Sequence, residues 1–409
     1  MRGRRGRGLA ALAALLVGLS APAAGAAPTA IDPRGTILVN GMKTFPIGLS
    51  RPPALDAATP WGTNALTEVT SAGVTLLRVD PRDGRWSAEA VADARRWNEA
   101  AAARGVSTWV NLRELTTVTP GSEEEALLKE VVGSLKNDPG FGMWKGVDEP
   151  WWMGVGPERL QHPYATTKAL DPDHPWVTIQ APRGYPWDLA PYSFVTDLHG
   201  VDIYPVDYRF PDPRLHAVGK WTRTIRSVTR NQAVFMTLQI CFSGSDDPSG
   251  SGAYVLPTKR QQRYMVYDAI INGARALNFF GGNYRECLSG ADVEAGWNWT
   301  FWNTVLKSLV LEIGPRSAFY PALLVPGTDR PLWASDATTQ LRSRQVGTRD
   351  LWVIAARHGS GTKRVTIRGL PRSLRTGTVY TERRSVRVRN GAFTDRFGRW
   401  AVHVYRFRR

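Results

Sequence analysis

The segment Gly146-Val147-Asp148-Glu149-Pro150-Trp151-Trp152 sets two adjacent carboxylates at the end of an apolar run and follows them with two indoles. A carboxyl group desolvated by neighbouring rings has its pKa raised and keeps its proton near neutrality, so it can donate to a leaving oxygen. Indole faces also stack on the apolar faces of pyranose rings. Asp-Glu-Pro is a common loop tripeptide as well, so its meaning depends on the elements that hold it.

Those elements alternate. Short β-like runs occupy Phe45–Ser50, Thr75–Asp80, Ser107–Leu112, Gly142–Glu149, Trp176–Ala181, Val201–Val206, Val234–Ile240 and Ala276–Gly281, eight in all. Amphipathic stretches such as Ser87–Arg104, Glu123–Asn137, Ala217–Arg230 and Lys259–Gly273 lie between them. Strands separated by helical patterns imply parallel βαβ units, and eight such units imply a closed (β/α)8 TIM barrel, with residues 41–322 as its span. An open doubly wound sheet is the competing architecture, but its Gly-rich first turn is missing. In a barrel the functional groups sit at the C-terminal strand ends. Read that way, the candidates are Arg78 and Asp80, Asn111, Asp148 with Glu149, Gln180, Asp202 with Tyr204, Gln239 and Asn278, with Trp144, Trp151, Trp152, Trp187, Trp297 and Trp299 as candidate sugar platforms.

Asp148-Glu149-Pro150 at the end of the fourth run, the opening Val39-Asn40-Gly41-Met42-Lys43-Thr44-Phe45-Pro46-Ile47-Gly48, the sixth run Val201-Asp202-Ile203-Tyr204-Pro205-Val206 and the last unit through Gly273-Ala274-Arg275-Ala276-Leu277-Asn278 together resemble the clan-A glycoside hydrolases of the secreted bacterial kind, over about residues 36–315. The resemblance implies Glu149 as acid/base, cleavage of the glycosidic bonds of a poly- or oligosaccharide, and no cofactor. It also exposes a departure. Retaining members end the seventh strand in a nucleophilic Glu, where this chain has Gln239, and an amide cannot form a glycosyl ester. The second carboxylate is then Asp202 or Asp80, with Asp202 the first choice as the base of an inverting pair about 6.5–9.5 Å from Glu149. Alternatively, Gln239 orients a substrate N-acetyl group or a water. A non-catalytic carbohydrate-binding barrel is the other functional class left open.

Around this barrel the sequence sets further expectations. Arg2, Arg4, Arg5 and Arg7, the apolar Leu9–Leu19 and the small residues Ala24-Gly25-Ala26 read as a signal peptide over residues 1–26, hence a secreted, extracellular protein with no integral membrane segment after cleavage. Residues 27–40 read as an N-terminal hairpin. Cys241 and Cys287 are an even pair suited to a disulfide in an exported chain. No CxxC, HExxH or histidine cluster is present, so no metal site is expected. Residues 330–409 show period-two alternation and read as a small β-sandwich. From residue 336 onward there are 18 Lys and Arg against 4 Asp and Glu, so most of the +16 net charge belongs to this piece. Such a surface suits an anionic cell-wall polymer, and nucleic acid has no recognition motif to support it.

Overall fold

The computed structural model describes residues 28–207, 214–241, 254–328 and 330–408. The segment read as a signal peptide lies outside the described residues. A three-stranded antiparallel sheet comes first: β1 (Thr29–Ile31), β2 (Ile37–Val39) and β3 (Met42–Thr44). The expected hairpin is therefore one strand longer, and the barrel begins after it.

Strands β4 (Ile47–Leu49), β5 (Leu76–Val79), β6 (Ser107–Asn111), β7 (Phe141–Asp148), β8 (Trp176–Gln180), β9 (Leu198–Ile203), β10 (Ala233–Gln239) and β11 (Ala276–Phe280) are all parallel, and β11 closes on β4. Seven strands fall within two residues of the expected runs. The sixth starts three residues earlier, at Leu198, which places His199 inside β9 and not before it. The principal covering helices are α1 (Ala65–Ala72), α2 (Ala88–Ala102), α3 (Glu123–Leu135), α4 (Pro157–Leu170), α5 (Pro186–Leu189), α6 (Ala217–Val228) and α7 (Lys259–Asn272). Several start where a side chain can accept an orphan amide: Asn64, Ser87, Ser122 and Thr258 each cap the helix that follows, and Gln261 returns the bond to complete a capping box with Thr258. The β8–β9 connection, which shows no clear helical pattern, carries only α5 and a 3-10 turn.

Barrel strands are buried on both faces, which is why they read as nearly continuous apolar runs. Leu76, Trp109, Met143, Ile179 and Phe235 fill the interior, and Ile37 of β2 joins them, plugging the lower end. Cys241, just after β10, is bonded to Cys287 in the loop after β11, with Cα atoms 6.4 Å apart. Closing a loop of that size contributes on the order of 4 kcal/mol through the unfolded chain.

The C-terminal strands form two antiparallel sheets, β12 (Trp333–Ala334), β15 (Lys363–Arg368) and β18 (Ala392–Phe397) against β13 (Thr339–Val346), β14 (Asp350–Arg357), β19 (Ala401–Arg408), β16 (Thr376–Val379) and β17 (Arg384–Arg387). Alternation divides β14 cleanly. Leu351, Val353 and Ala355 face the second sheet, while Trp352, Ile354 and Ala356 join Val402 and Val404 of β19 in the barrel's own core. Polar contacts fix the register of the two domains. Arg263 of α7 pairs with Glu312 at 2.7 Å and donates to the Val402 carbonyl at 2.6 Å, and Gln340 donates to Asp268 at 2.9 Å.

Each large apolar side chain on that shared face is worth about 1.5–3 kcal/mol against exposure to water. A chain truncated to residues 28–328 should therefore melt at a lower temperature and aggregate, as read by calorimetry and size-exclusion chromatography. Unchanged melting and a monomeric elution would contradict the shared core.

Candidate active site

The mouth of the barrel is shaped by a fault in β7. Lys145 pairs with Val177 of β8 and Asp148 with Ile179, so β7 spends three residues where β8 spends two. Residues three apart on a regular strand face opposite ways; the extra residue turns both Lys145 and Asp148 into the mouth. Gly146 permits this, since a Cβ there would lie 1.9 Å from Nε1 of Trp176. The next turn is strained as well. Glu149 has φ 46°, a left-handed conformation that a glutamate adopts at an energetic penalty, and its amide donates to the Ile179 carbonyl at 2.7 Å.

Inside lies a cavity of about 160 Å³ whose floor includes Trp109, Lys145 and Ile179 and whose wall holds Asp148, Glu149, Asp202 and Tyr204. A neighbouring cleft of about 260 Å³ shares Lys145 and Asp148 and runs over β6 past Asn111. Lys145 is 2% exposed. Its ammonium contacts Asp148 Oδ1 at 3.0 Å and the Gly146 carbonyl at 3.3 Å. Arg78 grips Asp80 with two nitrogens, at 2.9 and 3.0 Å, and Asn111 adds a third bond to Asp80 at 2.6 Å. Tyr204 donates to Asp202 Oδ2 at 3.0 Å and stacks on Phe280 with ring centres 5.4 Å apart. Oδ1 of Asp202 is buried without a conventional partner among the described residues, and the carboxyl group facing it is that of Glu149.

The electrostatics divide the acids. Burial works to raise Asp148, but the Lys145 and Arg78 cations outweigh it and hold Asp148 below the ordinary carboxylate range. Burial raises Glu149, and the adjacent Asp148 charge raises it further. Asp202 stands well above its usual value because it is desolvated and faces both Glu149 and Asp148. The environment therefore favours the ionised form of Asp148 and the protonated form of its neighbours, Asp202 more strongly than Glu149.

Several expected site residues sit elsewhere. Gln239 is fully buried and spends its amide on loop backbone: Oε1 accepts from Val206 N at 3.0 Å, and Nε2 donates to the Val206 and Val255 carbonyls at 2.7 and 3.1 Å. It clasps the loops after β9 and before α7 and does not line the cavity. Asn278 is likewise buried, donating to Thr237 Oγ1 at 3.2 Å and to Ser50. Trp144 faces outward from the barrel, fully buried against the helices, with its Nε1 on Asp171 at 2.7 Å, because β7 alternation gives the inward face to Met143 and Lys145. Trp297 and Trp299 are core residues; Trp297 donates to the Arg51 carbonyl at 2.8 Å. Asp80 is consumed by Arg78, and Asp202 meets Glu149 directly, not across the water-filled gap an inverting pair requires. Of the six candidate platforms, Trp152, with Arg183 stacked 4.0 Å above it, and Trp187, stacked on Tyr185 at 4.5 Å, are exposed. Trp151 is half-buried against Gly184. Lys145, Trp109, Thr237 and Ser50 were absent from the sequence reading; a lysine inside an apolar strand, three residues before an aspartate, was the available signal for the first.

No family model matches the chain, and no curated protein matches it. Solved structures do. One described as a glycoside hydrolase has TM-score 0.61 at 12% identity, covering 93% of this chain and 97% of its own. A family 5 glycoside hydrolase from Bacteroides vulgatus has TM-score 0.59 at 12% identity, covering 94% and 95%. A family 39 glycoside hydrolase from Bacteroides cellulosilyticus has TM-score 0.52 at 10% identity, covering 92% and 82%. The chain shares its fold, a closed eight-stranded parallel barrel followed by antiparallel sheets, with these glycoside hydrolases. Identities this low carry the fold alone, so chemistry has to be argued from the side chains of this mouth.

Those side chains generate a test. Changing Gln239→Glu would set carboxylate oxygens against two carbonyl oxygens and remove their donor, so the variant should lose about 2 kcal/mol or more in urea unfolding without gaining hydrolase activity. Undiminished stability would show that Gln239 is not the loop clasp described.

Proposed function

We propose that this chain is an exported glycoside hydrolase-like enzyme in which Glu149 protonates a glycosidic oxygen. The observation that carries the reading is the separation of the mouth's carboxyl groups into an ionised Asp148 and a proton-retaining Glu149–Asp202 pair. Pairs of acids with pKa values pushed apart are how one site holds an acid and a negative charge together at neutral pH. In this scheme the proton that the pair favours on Asp202 passes through Glu149 to the leaving oxygen, while solvent water adds to the anomeric carbon and returns a proton to the pair. Asp148, held ionised by Lys145, supplies the negative charge that an oxocarbenium-like transition state requires. Trp152 and the Tyr185–Trp187 pair, exposed on loops after β7 and β8, offer flat apolar faces to sugar rings. Export is supported by the N-terminal pattern of arginines and apolar residues and by the paired cysteines.

One observation favours a second reading, that of a carbohydrate-binding barrel without turnover. Gln239 is committed to the backbone, so among the described residues no carboxylate stands at the end of β10. Reducing-end release from a panel of plant, fungal and bacterial wall polysaccharides, run beside binding measurements on the same panel, separates the two.

If Glu149 is the acid, Glu149→Gln should lower turnover by about 10² to 10⁴ while leaving saccharide affinity nearly unchanged, and the loss should shrink for substrates with good leaving groups. The sign of the pH dependence follows from the raised pKa: the acid must be protonated, so kcat/KM should persist at neutral pH and fall on the alkaline side as the pair loses its proton. A wild-type profile lacking that alkaline limb, or a Glu149→Gln variant of normal rate on every substrate, would contradict the assignment.

A further inference from the structure

The second domain turns one of its sheets to solvent. Along β15 and β18, alternation sends Val365, Ile367, Phe393 and Phe397 inward to the sandwich core, so the residues between them face out. Register arranges the outward residues in rows. Trp333 of β12 stands opposite Arg368, Thr366 opposite Thr394, and Arg364 opposite Arg396. Successive rows lie about 7 Å apart along the strands. Asp395 of β18 falls on the inward face, where it binds Tyr405 and Arg384.

Each row has its own character. Trp333 is 58% exposed. One edge of its indole rests against Gly369, where an added Cβ would lie 3.1 Å from the ring; Gly369 also has φ 98°, which favours glycine. The ring is thus held against backbone while more than half of the residue stays open to water. In the middle row the hydroxyls of Thr366 and Thr394 are bonded to each other at 2.8 Å. The far row sets two exposed arginines directly across from one another, and neither guanidinium has an ion pair or hydrogen bond among the described residues.

That far row is not explained by stability. Like charges directly opposite on an antiparallel pair are destabilising, whereas an anion seated between them reverses the sign of the interaction. Guanidinium forks match the paired oxygens of a carboxylate or a sulfate. Two rows away the indole offers a flat apolar surface to a sugar ring, with hydroxyls between the two. Single-stranded nucleic acid is bound in grooves where several rings stack on successive bases, whereas one indole on an open sheet beside hydroxyls suits a polyhydroxyl chain.

We propose that the outer face of the β12–β15–β18 sheet binds a linear polysaccharide bearing carboxylate or sulfate groups, with a pyranose ring stacked on Trp333 and an acidic group held between Arg364 and Arg396. None of these residues lines the barrel mouth, so the surface stands whether or not the mouth hydrolyses sugar.

The test is calorimetric titration of the full chain with polygalacturonate and dextran sulfate, against neutral dextran, polyphosphate and oligodeoxythymidylate, each at two salt concentrations. Both or either of the acidic polysaccharides should bind at least tenfold more tightly than dextran, and the tighter of the two identifies the preferred acid as carboxylate or sulfate. Trp333→Ala should weaken that binding about tenfold without altering its salt dependence. The double change Arg364→Gln with Arg396→Gln should weaken it about tenfold and flatten the salt dependence. All three side chains are exposed, so Tm should hold in both variants, and removing the opposed charges should not lower it. The proposal is overturned if both variants bind as the wild type does, if neutral dextran binds as tightly as the acidic polysaccharides, or if polyphosphate or the oligonucleotide binds more tightly than either of them.

Discussion

The barrel mouth is governed by one constraint: a lysine whose ammonium is almost wholly withdrawn from water. Lys145 can remain charged there only with a carboxylate against it, and Asp148 is that carboxylate, 3.0 Å away. Beside them Arg78 and Asp80 form a second closed pair, so two cations and two anions cancel. Glu149 and Asp202 are left facing each other without a cation in direct contact among the described residues. In a desolvated site two such acids cannot both ionise, and they keep a proton between them. The bulge in β7, the glycine that accommodates Trp176 and the strained backbone at Glu149 all serve to bring these groups to one point. Strain of this kind persists only where the surrounding structure enforces it.

Much of this was legible in the sequence, and the failures have a common cause. The eight strand runs, the amphipathic stretches between them and the period-two C-terminal strands follow from local patterns, and they point directly to a barrel with an appended sandwich. Asp148, Glu149, Asp202, Arg78 and Tyr204 do converge, because the rule that barrel chemistry sits at strand ends is topological. The errors concern which way individual side chains face. Trp144 was assigned to the cleft and Lys145 overlooked, although they are neighbours on opposite faces of β7; in a strand buried on both sides, hydrophobicity does not tell inside from outside. The bulge that then brings Asp148 back to the face of Lys145 depends on Trp176, a contact 30 residues away in the chain. Gln239 marks the same limit. Its position at the end of β10 was read correctly, but its function as a clasp depends on two loop carbonyls that no pattern in the sequence predicts.

The likeness to solved glycoside hydrolases extends over more than nine-tenths of the chain and includes the C-terminal sheets. β14 is the hinge of that two-domain body. One of its faces completes the barrel core and the other the sandwich, so the second domain is an extension of the first and not a tethered module.

The central claim is the proton shared by Glu149 and Asp202, and isotope-edited infrared spectroscopy of the full chain with labelled Asp and Glu carboxyls measures it directly. A shared proton predicts a protonated carboxyl signal at pH 7 that is shifted in frequency or lost in both Glu149→Gln and Asp202→Asn, because each removes one partner of the hydrogen bond between the two carboxyls. A wild type in which both groups are fully ionised at pH 7, titrating near their ordinary values of 4.5 and 3.8, would contradict it.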